Sequence, residues 1–253
     1  MLFPFIWMVS TSLKPDEEVL TTKLDIIPNR LDWNNYKEAW QAQPFGYYFL
    51  NTIIVGLATT ILQLVFSSMA AYAFAFFRFP FKTPLFYVML GTMMIPQQAL
   101  LIPDYIILTG LHWIDTYAAL IVPWCASMFS VFFLRQFFLT LPRDLYDAAV
   151  VDGCGKLGFY FRILLPLSKP PLITLGILSF LGSWNSFIWP LVVTNSPHLR
   201  VIQVGLAYFL EESGTEWALL MAASTFTIVP LVIGYFVLQK RFVESQVMTG
   251  LKA

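Results

Sequence analysis

Five stretches of this chain are each predominantly apolar over 20 residues or more. A helix of about 20 such residues crosses the ~30 Å hydrocarbon core of a bilayer. The stretches run from Thr52 to Phe77, Leu85 to Leu108, Tyr117 to Leu139, Leu172 to Val193 and Trp217 to Leu238. Three carry no charge, and the others hold only Asp104 and Arg135, each near an end, where reaching polar surroundings is cheap. Composition agrees: 58% of the residues are hydrophobic and 12% charged, against about 45–50% and 25% in soluble domains. No soluble surface can be made from that mixture, so the chain is expected to be an all-α polytopic membrane protein.

The segment Met1 to Val9 is apolar but covers only about 15 Å as a helix, half a bilayer. It has no basic leader and no small-residue cleavage site, which argues against a signal peptide. Two readings stand: the end of a first transmembrane helix, or an interfacial anchor. Prolines 96, 103, 123, 190 and 230 fall inside the spans and predict kinks, since each removes a backbone donor.

Orientation follows from the basic residues of the connections. Arg78 and Lys82 follow the first full span, Arg143, Lys156, Arg162 and Lys169 the third, and Lys240, Arg241 and Lys252 the fifth. The intervening connections are poor in them: 104–116 has none, and 194–216 has Arg200 beside Glu211, Glu212 and Glu216. The alternation puts the C-terminus, Lys252 and the connection around Gly153 in the cytoplasm, with Asp25 and Glu212 outside.

Several function classes drop out. Fifteen basic residues balance fifteen acidic ones, which gives no electrostatic case for nucleic acid. The nearest string to a phosphate-binding loop, Gly153-Cys154-Gly155-Lys156, continues with Leu157 and lacks the upstream glycine. His112 and His198 lie far apart, and Cys125 and Cys154 form neither a disulfide framework nor a metal site. No catalytic or metal-binding constellation is expected.

The most informative stretch is Leu141 to Pro166, too long and too aromatic for a simple linker. Pro142 and Asp144 suit a helix start, Gly153 a break, and 158–165 a second short helix leading to Pro166. Without further information this is a solvated amphipathic hairpin or a docking surface for another protein.

Its spacing carries a resemblance. Asp147-Ala148-Ala149, three residues, Gly153, nine residues, then Ile163-Leu164-Leu165-Pro166 resembles the EAA signature of ABC-importer permeases, with Asp147 where that family usually has Glu and Cys154 where Ala is common. Further strings resemble the carbohydrate-importing, maltose-permease-like subgroup: residues 3–14, Ala70-Ala71-Tyr72-Ala73, Met94-Ile95-Pro96, Trp184-Asn185, Trp189-Pro190-Leu191 and the tail 239–252.

The resemblance implies a type I ABC-importer permease fold, with five full transmembrane helices plus a truncated first. It divides the chain into a first-helix remnant (1–10), an extracytoplasmic segment (11–51), a transmembrane domain (52–240) with a coupling loop at 141–166, and a cytoplasmic tail (241–253). It implies a bacterial or archaeal inner-membrane protein that is not an enzyme and holds no cofactor. ATP and Mg belong to two cytoplasmic ATPase subunits, and the other partners are a second homologous permease, an external solute-binding protein and the lipid bilayer. Asp147, Ala148, Ala149, Asp152, Gly153, Ile163, Leu165 and Pro166 would form the ATPase-coupling surface.

For Trp184, Asn185 and Trp189 two readings remain, an aromatic belt with an interhelical hydrogen bond, or rings and an amide lining a sugar pathway. Gln97 and Gln98, between Pro96 and Pro103, carry the same ambiguity. Arg135 reads as a snorkelling anchor. The alternatives to a sugar permease are an ABC permease for another solute, or an ion-coupled transporter or channel. The latter normally places ionisable groups at the midplane, and this chain offers none there.

Overall fold

The computed structural model describes residues 3–19, 26–211 and 214–250. Asp25, Glu212 and Lys252, to which the charge pattern assigns sides of the membrane, lie outside the described residues. In chain order the main helices are α1 (Phe3–Ser12), α2 (Asn34–Ala42), α3 (Phe45–Phe76), α4 (Lys82–Gly91), α5 (Gln97–Gly110), α6 (Tyr117–Ile121), α7 (Met128–Thr140), α8 (Asp144–Val151), α9 (Lys156–Phe159), α10 (Lys169–Trp184), α11 (Ile188–Val193), α12 (Ile202–Leu206) and α13 (Trp217–Gly250). A minimal antiparallel pair, Leu210–Glu211 with Gly214–Thr215, is the strand content among the described residues.

Three helical runs can cross a membrane alone: Phe45–Phe76, Tyr117–Thr140 and Trp217–Phe236. Two bent pairs complete the set, Lys82–Met94 with Gln97–Gly110 at 100°, and Lys156–Leu167 with Lys169–Trp184 at 78°. The first bend falls at Ile95-Pro96, where proline cannot supply the backbone donor that would continue the helix. The fourth span departs from the expected Leu172 to Val193. α10 stops at Trp184, the chain turns through 185–187, and α11 starts afresh at Ile188 with Pro190 in its first turn, where the missing N–H costs nothing. Asn185 and Ser186, whose side chains compete for backbone hydrogen bonds, sit at this break.

The chain divides into two units, Met1–Ile53 with Trp184–Lys240, and Ile54–Ser183 with Arg241–Ala253. In the second, one face of α7 (Val131, Leu134, Phe138, at helical spacing) packs in a core with Ala71, Tyr72, Phe74 and Ala75 of α3, Phe86 of α4, Ala149 of α8, Phe159 of α9 and Leu175 of α10. Small residues bring α3 and α10 together: a Cβ on Gly56 would lie 2.9 Å from the Phe180 ring, and one on Gly176 3.4 Å from Leu64. Where apolar contact ends, a polar junction ties three helices. Gln63 donates to Ser130 Oγ (2.9 Å) and accepts from Ser179 Oγ (2.7 Å).

The first unit is built on aromatic packing. Phe45 and Tyr48 are fully buried, and Phe45 meets Tyr48, Phe209 and Phe226 at ring distances of 5.5, 6.2 and 4.9 Å. Asn51 donates to the carbonyls of His198 and Arg200 (2.8 and 2.9 Å), and Thr52 Oγ1 accepts from the Ile202 amide (2.9 Å), fixing the segment that leads into α12. Before α3, Asn35 donates to the carbonyls of Ser12 and Lys14 (3.0 and 2.8 Å) and so closes the stretch between α1 and α2.

Candidate functional site

The connection from α7 to α10 is built as two short helices around one glycine. Asp144 and Asp147 occupy the first turn of α8, where the helix dipole favours negative charge. The helix ends in a complete Schellman motif: the Cys154 amide bonds the Ala149 carbonyl (2.8 Å) and the Gly153 amide bonds the Val150 carbonyl (3.0 Å). That closure requires a left-handed residue, and Gly153 has φ +75°. Cys154 then folds over Gly158, where an added Cβ would lie 2.9 Å from its sulfur.

The return arm contains a π-helical turn, Tyr160–Leu164, rather than the regular short helix expected over 158–165. Such turns are rare and collect at functional sites. Packing explains this one, since Phe159, Tyr160 and Leu164 are all buried. The Phe159 ring stands edge-on to Tyr146 at 4.9 Å and to Phe76 at 5.5 Å, and Tyr160 stacks on Tyr72 at 5.6 Å. Tyr72 donates to the Lys156 carbonyl (3.1 Å), the Tyr160 and Ser68 hydroxyls meet at 2.7 Å, and the Lys156 ammonium sits 4.8 Å over the Phe77 ring. The connection is thereby fastened to the end of α3.

What faces outward is therefore fixed. Asp147, Ala148, Asp152, Gly153 and Pro166 are exposed, Ala149 is buried against the core, and Ile163 and Leu165 are half-buried along the π turn. Apolar side chains stand beside the acids: Val151 is 86% exposed and Leu157 66%. The sequence reading missed these apolar members and the anchors Ser68, Tyr72 and Tyr160. The apolar members had their signal in the run of exposable apolar residues around the glycine, whereas the anchors on α3 had none.

The other candidates fall elsewhere. Gln97 and Gln98 are exposed in the first turn of α5, directly after the break at Pro96. Trp184 and Trp189 are buried, the former edge-on to Phe49 at 6.3 Å, while Asn185 is exposed at the break after α10. Among the described residues, no group of three or more His, Cys, Asp or Glu is placed to hold a metal.

The chain is a polytopic helical membrane protein with a fastened, acid-bearing corner between two of its spans. Residues 63–246 match the model of the binding-protein-dependent transport system inner membrane component, and the chain belongs to that family. It is similar to the arabinooligosaccharides transport system permease protein AraQ of Bacillus subtilis (strain 168), at 38% identity covering 99% of this chain and 90% of the relative. It is also similar to the sn-glycerol-3-phosphate transport system permease protein UgpE of Yersinia pestis bv. Antiqua (strain Antiqua), at 33% identity with 98% and 91% covered. A solved bacterial ABC transporter involved in the import of the acidic polysaccharide alginate contains a chain of the same fold, with a TM-score of 0.85 and 22% identity, covering 95% of this chain and 90% of that one.

The protein is thus an ABC-importer permease, a multi-pass inner-membrane component that works with an ATPase and a binding protein. It is the non-catalytic component, with ATP bound on the partner ATPase. Membership decides against the ion-coupled alternative.

Proposed function

We propose that this permease carries a neutral carbohydrate, forming half of the translocation pathway beside a second homologous permease, above two ATPase subunits. The observation that carries the coupling role is the Schellman corner at Gly153, which holds Asp147, Ala148, Asp152, Val151 and Leu157 outward on a loop fastened to α3. Closure of the ATPases would push this corner, and α3, bonded to it through Tyr72 and Ser68, would carry the displacement into the spans. With the corner and the C-terminus in the cytoplasm, residues 11–51 face outward toward the binding protein. Gln97, Gln98 and Asn185, exposed at helix breaks, are the pathway residues of this reading, with Trp184 and Trp189 holding the second break in place.

Carbohydrate is favoured over an anionic solute by charge. The five apolar stretches contain one basic residue, Arg135, close to an end, so this half of the pathway offers a passing anion no counter-charge at depth. The names of the relatives support two candidate classes, arabino-oligosaccharides and sn-glycerol 3-phosphate. Proteoliposomes holding the complete transporter and its binding protein test both. ATP-dependent uptake of an oligosaccharide, insensitive to ionophores, is expected; uptake of glycerol phosphate with no sugar transported would overturn the substrate assignment.

A further inference from the structure

A cavity of about 170 Å³ opens where α3 ends, α4 begins and α7 nears its last turn, lined by Phe74, Lys82, Thr83, Phe86, Phe132 and Arg135 among others. Two of its lining side chains are positive and none is negative. Both cations are held in place. The Lys82 ammonium donates to the Phe77 carbonyl at 2.8 Å and the Ala75 carbonyl at 3.4 Å, and Arg135 Nε donates to the Phe74 carbonyl at 3.3 Å. The guanidinium carbon also sits over the Phe86 ring, 4.2 Å from its centre.

The carbonyls at the end of α3 position this charge without cancelling it. A helix C-terminus carries about half a negative charge, against the two full positive charges gathered here. The start of α4 adds to the positive side, because Phe81 provides no capping side chain for its first amides. Only Nε of Arg135 is engaged with the backbone, so its two Nη groups remain to grip an oxyanion end-on. Thr83 and Gln136, both exposed, supply neutral donors at the rim.

The surroundings say which anion. The outer face of α4 beside the cavity is apolar and bare, with Leu85, Tyr87 and Val88 exposed by 46, 66 and 69%. A soluble anion has no use for that face, whereas acyl chains do. Basic pockets between helices at the cytoplasmic boundary are suited to phospholipid headgroups. We propose that Arg135 and Lys82 form a site for the phosphate of an anionic phospholipid, its acyl chains lying along α4. On the orientation proposed above it draws from the cytoplasmic leaflet.

The test uses the assembled transporter in neutral detergent, with lipid binding followed by native mass spectrometry and thermal unfolding. Phosphatidylglycerol is expected to be retained and to raise the unfolding midpoint of the wild type. The Arg135→Gln/Lys82→Gln double variant should bind it at least tenfold more weakly, while Lys169→Gln, which removes an exposed charge elsewhere, should match the wild type. Wild-type affinity in the double variant, or equal binding of phosphatidylcholine, would overturn the site. Inorganic phosphate or sn-glycerol 3-phosphate replacing the lipid at equal concentration would overturn its lipid assignment in favour of a soluble phosphate. Photoactivatable phosphatidylglycerol on the wild type needs no variant: label should map to residues 82–90 and 132–136, and label spread evenly over the spans would count against the site. None of these readouts involves uptake, so a failure here leaves the transport reading standing.

Discussion

The hydroxyl of Tyr160, in the π turn, lies 2.7 Å from that of Ser68 in α3, and both residues are buried. Ser68 Oγ is also 2.6 Å from the Leu64 carbonyl one turn back. A serine hydroxyl has a single proton, so it is given to Leu64 and Tyr160 donates to Ser68. The two ends of this bond are therefore unequal. Tyr160→Phe removes a donor and leaves Ser68 still satisfied, at a cost of about 0.5–1 kcal/mol within a membrane bundle. Ser68→Ala strands a buried phenolic O–H and should cost about 1–3 kcal/mol. The double variant should fall close to Tyr160→Phe alone. Unfolding midpoints of the purified complex check this, and equal losses for the two single variants would refute the assigned donor direction.

Gly153 closes α8 with φ +75° in open space, since an added Cβ would meet nothing within 4 Å. A side chain there is penalised by backbone conformation alone. Gly153→Asn should be tolerated, because Asn visits the left-handed region readily, and Gly153→Ala should cost about 1–2 kcal/mol. Gly153→Pro cannot adopt that φ and also loses the amide bonded to Val150, so it should abolish ATP-dependent uptake with the chain still inserted. Normal uptake by the proline variant would remove the corner from coupling.

Gly205 of α12 is a different kind of glycine. A Cβ there would overlap the Tyr48 ring, which is fully buried, packed against Phe45 and tied by its hydroxyl to Gln43 (2.8 Å). The ring has nowhere to move. Gly205→Ala should therefore lower stability by about 1–3 kcal/mol through overpacking, and Tyr48→Leu in the same chain should recover part of that loss. Thermal unfolding of the three variants decides it: additive losses would show that the two residues do not share the space.

The spans were legible because length and hydropathy fix them, and Pro96 marks its own bend. The break after Trp184 was not, since Phe187, Ile188 and Trp189 continue the apolar run and conceal a change in backbone hydrogen bonding. The Asp147 to Pro166 spacing was legible, and so was a helix break at Gly153, though not its left-handed backbone. The π turn was not, because it comes from fitting Tyr160 against Tyr72 and Ser68, the latter 92 positions away in sequence. Arg135 read as an anchor near the headgroups; what the sequence did not show is that the Phe74 carbonyl and the Phe86 ring hold it, because that depends on where α3 and α4 end.

Asp147 stands exposed in the first turn of α8, one residue from Ala148, which is also exposed, and two from Ala149, which is buried. The helix therefore presents its carboxylate beside a side chain small enough to let a partner backbone come close. If the carboxylate meets a partly buried Arg or Lys of the ATPase, Asp147→Ala leaves that cation unpaired and should weaken assembly by about 2–5 kcal/mol. Asp147→Glu keeps the charge with a longer reach and should be tolerated. Asp147→Lys should be worse than Ala, because like charges then meet in a water-poor cleft. An acid that merely faces solvent would behave otherwise, with all three changes altering affinity by well under about 1 kcal/mol. Stability of the permease itself should change by no more than about 1 kcal/mol, since the side chain is exposed and only the helix dipole acts on it, and this separates docking from folding. Co-purification of the ATPase with each variant is the measurement: the order Glu, Ala, Lys in falling recovery is expected, and equal recovery would leave the shape of the corner at Gly153, with Val151 and Leu157, to make the contact without the charge.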